Sequence, residues 1–271
     1  MKISEIMNVD FKKFSIDKDR ILTDALNLMD KIKTSILLCI DKKKELKGII
    51  TEREILDRLG SKKIGNIKTS SIRVSSVMIF NPIVVKPDDT IYYAARVMDE
   101  NGYTGVPVMN QGLEGFVSHN EILKVCEKVS TITVEHIMDD HPIIISDDDR
   151  IIHARRIMFE KNVSYLLVGS KNSINGILTE GMLARSFADF RETTTDMHQE
   201  ERIRAITVEE CIRNPVFISK ETTIGDAAKI MLEKGVRLLV ILNDSGRLLG
   251  IVSKDILTKF VKDGLTLKNY K

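Results

Sequence analysis

Residues 91–98 read Ile91-Tyr92-Tyr93-Ala94-Ala95-Arg96-Val97-Met98, and Gly115-Phe116-Val117-Ser118 follows 17 residues after the methionine. The same frame, apolar-x-x-Ala-x-x-x-Met, recurs as Leu22/Ala25/Met29, Ile151/Ala154/Met158 and Ile224/Ala227/Met231. Each copy leads to Gly-apolar-apolar-Ser/Thr: Gly48-Ile49-Ile50-Thr51, Gly176-Ile177-Leu178-Thr179 and Gly250-Ile251-Val252-Ser253, at spacings of 19, 18 and 19 residues. An order held four times marks one structural unit in four tandem copies.

Outward from residues 91–98, the local chemistry gives each unit its elements. Asn81-Pro82-Ile83-Val84-Val85 is rich in β-branched residues and predicts a strand. Asp88, Asp89 and Thr90 offer capping oxygens and negative charge at a helix start. Ile91, Ala94, Ala95 and Met98 fall on one helical face. Gly102 suits a left-handed cap. Gly105 to Met109 and Glu114 to Val117 predict two strands about a Gln111-Gly112 turn, and Ser118 caps a helix from Asn120 to about Val129. The other copies repeat this order, opening at Lys13–Ile16, Pro142–Ile145 and Pro215–Ile218. The fold class is therefore α+β, four β-α-β-β-α repeats: 1–64, 65–128, 129–190 and 206–271, with 191–205 as connector. The polar stretch from Arg185 to Arg204 is expected to be a solvent-exposed helical connector. A lone unit of ~60 residues is marginally stable. Consecutive repeats are thus expected to pair sheet to sheet, 1–128 and 129–271, burying Met29 with Met98 and Met158 with Met231.

Composition limits the function. The 271 residues carry 41 Lys+Arg against 39 Asp+Glu, a net charge of +2, which is a poor footprint for nucleic acid. The basic clusters Lys42-Lys43-Lys44 and Lys62-Lys63 read as solvated turns. Cys39, Cys126 and Cys211 lack metal or redox spacing, and a sparse odd set fits a reducing cytoplasm. Cys39 reads as a small core residue. No signal-peptide stretch opens the sequence, and no window approaches the ~20 apolar residues of a membrane span. The five histidines, among them His119 and His141 in exposed positions, form no ligand-spaced cluster. No phosphate loop or nucleophile elbow is present. No catalytic residue, metal or cofactor is expected.

The ordered set resembles the cystathionine-β-synthase (CBS) domain. Ile6-Met7, Val77-Met78 and Ile137-Met138 precede first strands, and Asn81-Pro82, His141-Pro142 and Asn214-Pro215 open them. The resemblance implies repeats working in pairs, each about a pseudo-twofold axis, as in the gamma subunit of AMP-activated protein kinase, with clefts that take AMP, ADP, ATP, S-adenosylmethionine or sometimes NAD. It implies a non-catalytic regulatory role in energy sensing, with a protein partner or a second copy, and no nucleic acid or membrane. A ligand-free scaffold for protein association is the alternative. An enzyme or nucleic-acid binder hidden in the loops is the weakest reading.

The resemblance also implies a ribose site at Ser/Thr-x-x-Asp, from which every copy departs. Thr51-x-x-Glu54 and Ser118-x-x-Glu121 are equally capping boxes. Thr179 is followed by Gly181 and Met182, with no acid at the key position. Ser253 is followed by Asp255, one residue early. Arg237 stands six residues after Met231, where the other copies carry Ser35, Thr104 and Ser164, and suits a phosphate. Adenine is expected against Ile143 and Val216. The expected ligand set is therefore Asp255, Ser253, Arg237, Thr179, Ile143, Val216, Thr51, Glu54, Ser118 and Glu121.

Overall fold

A computed structural model describes all residues except 62–64, 66, 194–201, 204 and 267–271. Lys62, Lys63, His198 and the connector residues Thr194, Thr195, Glu200, Glu201 and Arg204 lie outside the described residues. The first repeat holds β1 (Ser15–Asp17), α1 (Leu22–Ile32), β2 (Ile36–Ile40), β3 (Leu46–Thr51) and α2 (Glu52–Leu59). A short β4 (Ile79–Phe80) follows. The second holds α3 (Ile91–Asn101), β5 (Gly105–Met109), β6 (Leu113–Ser118) and α4 (His119–Cys126). The third holds β7 (Ile144–Ile145), α5 (Ile151–Glu160), β8 (Tyr165–Ser170), β9 (Ser173–Thr179) and α6 (Glu180–Thr193). The fourth holds β10 (Phe217–Ser219), α7 (Ile224–Lys234), β11 (Leu238–Leu242), β12 (Leu248–Ser253) and α8 (Lys254–Lys262).

The opening strand runs parallel to the second, as in Ser15↔Leu38, and the second and third form an antiparallel hairpin, as in Leu38↔Ile49. The helix between first and second strands makes that parallel crossover possible. The second repeat departs from this. Of its expected strand 81–85, only Val85 pairs, with Val108. Pro82 has no N–H to give a ladder, and Ile83 and Val84 are 42% and 39% exposed. Gly102 takes the left-handed cap as expected.

The chain divides into two compact units, each of two alternate repeats. Residues 14–81 and 143–215, which hold the helices and hairpins of repeats one and three, form the 1/3 unit. Its core includes Met29 and Met158, and α2 packs on α6. Residues 1–13, 82–142 and 216–271 form the 2/4 unit. Its core includes Met98 and Met231; α3 packs on α8, and α4 on α7 and α8. The expected grouping into 1–128 and 129–271, with Met29 beside Met98, is thereby corrected. The helices carry apolar stripes of their own, and these mate between alternate repeats.

The segment leading into each repeat is built into the neighbouring one. Asn8 bridges Phe116, Arg73 bridges Ile21 and β4 pairs with β3, Asp139 bridges Ile251, and Arg213 bridges Ile177. This exchange explains the repeated glycine. A Cβ on Gly48 would stand 2.4 Å from the Ile79 carbonyl oxygen, on Gly115 2.7 Å from that of Asn8, and on Gly250 2.5 Å from that of Asp139. On Gly176 it would meet the Ile212 side chain at 2.7 Å. Ile212 lies in the fourth leading segment, which lacks the Ile-Met dipeptide.

The stretch from Arg185 does not begin as a solvent-exposed connector. It continues α6, where Phe187, Ala188 and Arg191 are buried. Arg191 donates to the Leu59 and Gly65 carbonyls at 2.8 and 2.7 Å, and Thr69 Oγ1 donates to the Ala188 carbonyl at 3.1 Å.

Candidate functional site: the last helix of each repeat

One hydrogen bond recurs in all four copies. The residue six after the methionine offers its carbonyl to the first N–H of the last helix: Glu52 to Ser35, His119 to Thr104 and Glu180 to Ser164 at 3.2 Å, and Lys254 to Arg237 at 2.9 Å. The start of the second strand is thereby tied to a helix N-terminus, whose N–H groups and dipole favour anions. In repeat four this places Arg237 beside Ser253, Lys254 and Asp255.

In the 2/4 unit the starts of α4 and α8 cross-link. Lys254 Nζ donates to Asn120 Oδ1 at 2.8 Å, and His119 Nε2 lies 3.4 Å from Asp255 Oδ1. His119, expected at an exposed helix start, is 5% exposed. Burial pushes its pKa down to about 4; Asp255 opposes the shift, and Arg237 and Lys254 add to it. The ring is therefore neutral at pH 7. With Nε2 facing a carboxylate, the ring proton belongs on Nε2 and Nδ1 is an acceptor. Nδ1 is buried with no hydrogen-bond partner among the described residues, as is the Thr104 hydroxyl. Ser253 is fully buried and accepts from the Ile256 N–H at 3.2 Å. The Asp255 side chain is 45% exposed. One region thus holds two cations, a half-exposed carboxylate and two buried groups able to take further hydrogen bonds.

In the 1/3 unit the same cross-link is an ion pair. Arg53 Nη1 meets Glu180 Oε1 at 2.5 Å, and Nη2 donates to Asn162 Oδ1 at 3.0 Å. The Arg53 guanidinium also lies 4.6 Å from the Phe159 ring centre. A Cβ on Gly181 would strike the Glu52 carboxylate, so glycine leaves room for that side chain.

The ten expected ligand residues divide between the units. Thr51, Glu54, Thr179 and Ile143 fall in the 1/3 unit; Ser118, Glu121, Ser253, Asp255, Arg237 and Val216 fall in the 2/4 unit. Glu54 and Glu121 both close capping boxes, onto Thr51 and Ser118. Thr179 accepts from the Met182 N–H at 3.3 Å. Ile143 and Val216 are half-buried against their unit cores, and their carbonyls accept from Leu167 and Val240. Sequence reasoning missed Thr104, His119, Asn120 and Lys254. Aligning the copies one residue after Ser/Thr would have exposed the pattern, because every copy has a titratable side chain there: Glu52, His119, Glu180 and Lys254. Among the described residues no cluster of three or more His, Cys, Asp or Glu could hold a metal, and no helix is long and apolar enough to cross a membrane.

The CBS domain model matches residues 3–61, 74–128, 134–189 and 204–263. The chain belongs to the CBS domain family. Its four copies and mixed α+β sheets are those of the family. The structure of protein MJ1225 from Methanocaldococcus jannaschii is similar over 96% of this chain and 100% of that one, with a TM-score of 0.76 and 18% identity. The uncharacterized 33.4 kDa protein in the ribosomal RNA operon of Thermofilum pendens is 23% identical over 96% of this chain and 92% of its own length. The carnitine transport ATP-binding protein OpuCA of Listeria monocytogenes is 24% identical over 58% of this chain and 36% of its own length.

Proposed function

We propose that this CBS protein is a non-catalytic cytoplasmic regulator that binds an adenosyl nucleotide, with its tightest site in the 2/4 unit. The carrying observation is the cluster of Arg237, Lys254, Asp255, His119 and Thr104, with two buried groups awaiting hydrogen bonds. Asp255 accepts from the ribose hydroxyls. Arg237 and Lys254 face the phosphate, and His119 Nδ1 takes a donor from sugar or base. Val216 supplies an apolar wall for adenine. A ligand that fits one arrangement of the repeats better than another shifts the population toward it, and a protein partner or a second copy reads the change. No resident cofactor is required. The description of MJ1225 as a proposed archaeal homologue of g-AMPK is in keeping with this reading.

A second reading, a ligand-free scaffold, has its own support in the 1/3 unit. There Arg53 is spent on Glu180, Glu54 on its cap, and repeat three has no acid at the key position. Calorimetric titration with AMP and adenosine separates the two. A charge-assisted contact is worth about 1.5–3 kcal/mol, roughly ten- to hundredfold in Kd. Arg237→Ala should weaken AMP by that factor and leave adenosine nearly unchanged, while Asp255→Ala weakens both. Failure of AMP, ADP, ATP and S-adenosylmethionine to bind the intact protein leaves the scaffold reading. Steady ATP hydrolysis abolished by one substitution in this chain overturns the non-catalytic assignment.

A further inference from the structure

The 1/3 unit holds a cavity of about 260 Å³ along one face of α2. Arg53, Glu54, Asp57 and Arg58 of α2 line it, with Ser76 and Val77 of the leading segment of repeat two and Phe159 near the end of α5. The volume falls below the ~300–1,000 Å³ of sites for drug-sized ligands. A small ligand matches this volume better than a nucleotide does.

Most of the charge around this cavity is already matched. Arg53 is paired with Glu180 and Asn162. Asp57 takes Arg155 Nη2 at 2.7 Å. Glu54 is held in its capping box. Arg58 differs: its Nε is buried and has no hydrogen-bond partner among the described residues. A buried charged donor left without a partner is costly, and a guanidinium fork fits a carboxylate in two parallel bonds. Glu54 and Asp57 repel a second negative charge, which disfavours a phosphate dianion. Val77 and Phe159 form an apolar wall. We propose that this cavity binds a small organic monocarboxylate, with the carboxylate on Arg58 and its apolar body against Val77 and Phe159.

Benzoate is a suitable probe, followed by saturation-transfer NMR on the intact chain. The expected result is saturable binding with a Kd of about 1 mM or tighter, within reach of nine heavy atoms at ~0.5 kcal/mol each. Benzyl alcohol, which lacks the charge, should bind at least tenfold more weakly, and inorganic phosphate should not displace benzoate. Arg58→Met should weaken benzoate tenfold or more, and Arg58→Lys, which keeps the charge without the fork, should fall between. Thermal melting of both variants checks folding, and the Lys variant carries the test if the Met variant unfolds. Arg237→Ala should leave benzoate untouched, so this site stands or falls separately from the nucleotide reading. Absence of saturable binding, binding indifferent to Arg58, or displacement by phosphate overturns the proposal.

Discussion

The two units solve one geometric problem with opposite chemistry. In each, the starts of two last helices meet, and the first two residues of one helix face those of the other. The 1/3 unit fills these places with Glu52, Arg53, Glu180 and Gly181, and the 2/4 unit with His119, Asn120, Lys254 and Asp255. In the first, a guanidinium closes onto a carboxylate that is 3% exposed. In the second, a neutral histidine faces a half-exposed acid, with Arg237 and Lys254 close enough to act on the ring. One fold thus yields a latch in one unit and, in the other, the proposed receptor. The largest test breaks the latch. Removing one partner of a buried pair costs about 3–5 kcal/mol, and the 24% exposure of Arg53 puts Arg53→Met near the lower end. Denaturant unfolding should show a loss of about 3 kcal/mol, with AMP affinity unchanged. A loss under about 1 kcal/mol, the size expected of a surface pair, sinks the latch.

The receptor should be the acid-sensitive half. His119 titrates near 6.5 when unfolded and at about 4 when folded. A depressed folded pKa means the unfolded chain binds the proton first. Stability from this group is therefore whole above pH 6.5 and lost as pH falls from 6.5 to 4. At 1.36 kcal/mol per unit, the loss approaches about 3 kcal/mol at the acid end and about 2 at pH 5. Native-state hydrogen exchange should show Leu239 and Val252 of the 2/4 core loosening in this window, ahead of Leu37 and Leu178 of the 1/3 core. His119→Gln, which keeps a donor for Asp255, should remove the difference. Earlier acid loosening of the 2/4 core that persists in that variant would falsify the assignment.

Packing tolerance should also differ at the second residue of the first helix. Gly225 in α7 donates its N–H to the Val129 carbonyl at 2.8 Å, and a Cβ there would lie 2.7 Å from the Glu127 carbonyl oxygen and 2.9 Å from that of Val129. Both obstacles are backbone and cannot swing away. Gly225→Ala should cost about 1–2 kcal/mol. Its counterpart in repeat three, Ile152, is 37% exposed, and Ile152→Ala should stay within about 0.5 kcal/mol. Comparable melting shifts for the two variants would remove this contrast.

These sites show what the sequence carried and what it did not. Ala94 and Met98 announced a buried helical face because helix periodicity is local. The pairing of Arg237 with Ser253 to Asp255 was legible because both lie in one repeat, at a fixed spacing from Met231. The glycine motif was visible, but its cause was not: nothing near Gly115 says that Asn8 crosses it. Grouping by alternate repeats is long-range in the same way, since each apolar stripe has three candidate partners in the other repeats. Ile83 and Val84 read as strand from their side chains, yet a strand also needs a neighbour to bond. His119 looked exposed because helix starts usually are; only α8 packing against α4 covers it.

The smallest effect asks whether Glu54 and Glu121 are caps or ligand groups. Glu121 is 2% exposed and accepts from Ser118 N at 2.9 Å and Ser118 Oγ at 2.6 Å, with Lys124 Nζ 3.4 Å away. Glu54 accepts from Thr51 N at 3.2 Å and from its hydroxyl. A glutamine keeps one oxygen able to accept both bonds, so the box survives the change. What goes is the charge, and with it the extra strength of a charge-assisted bond. Glu121→Gln and Glu54→Gln should each cost less than about 1 kcal/mol, the scale of a single cap. The buried Glu121 should lose more than Glu54, because less water is available to compensate. AMP affinity should change by less than twofold in both. If Glu54→Gln abolishes AMP binding while Asp255→Ala spares it, the roles of the two units are reversed, and the latch is the receptor.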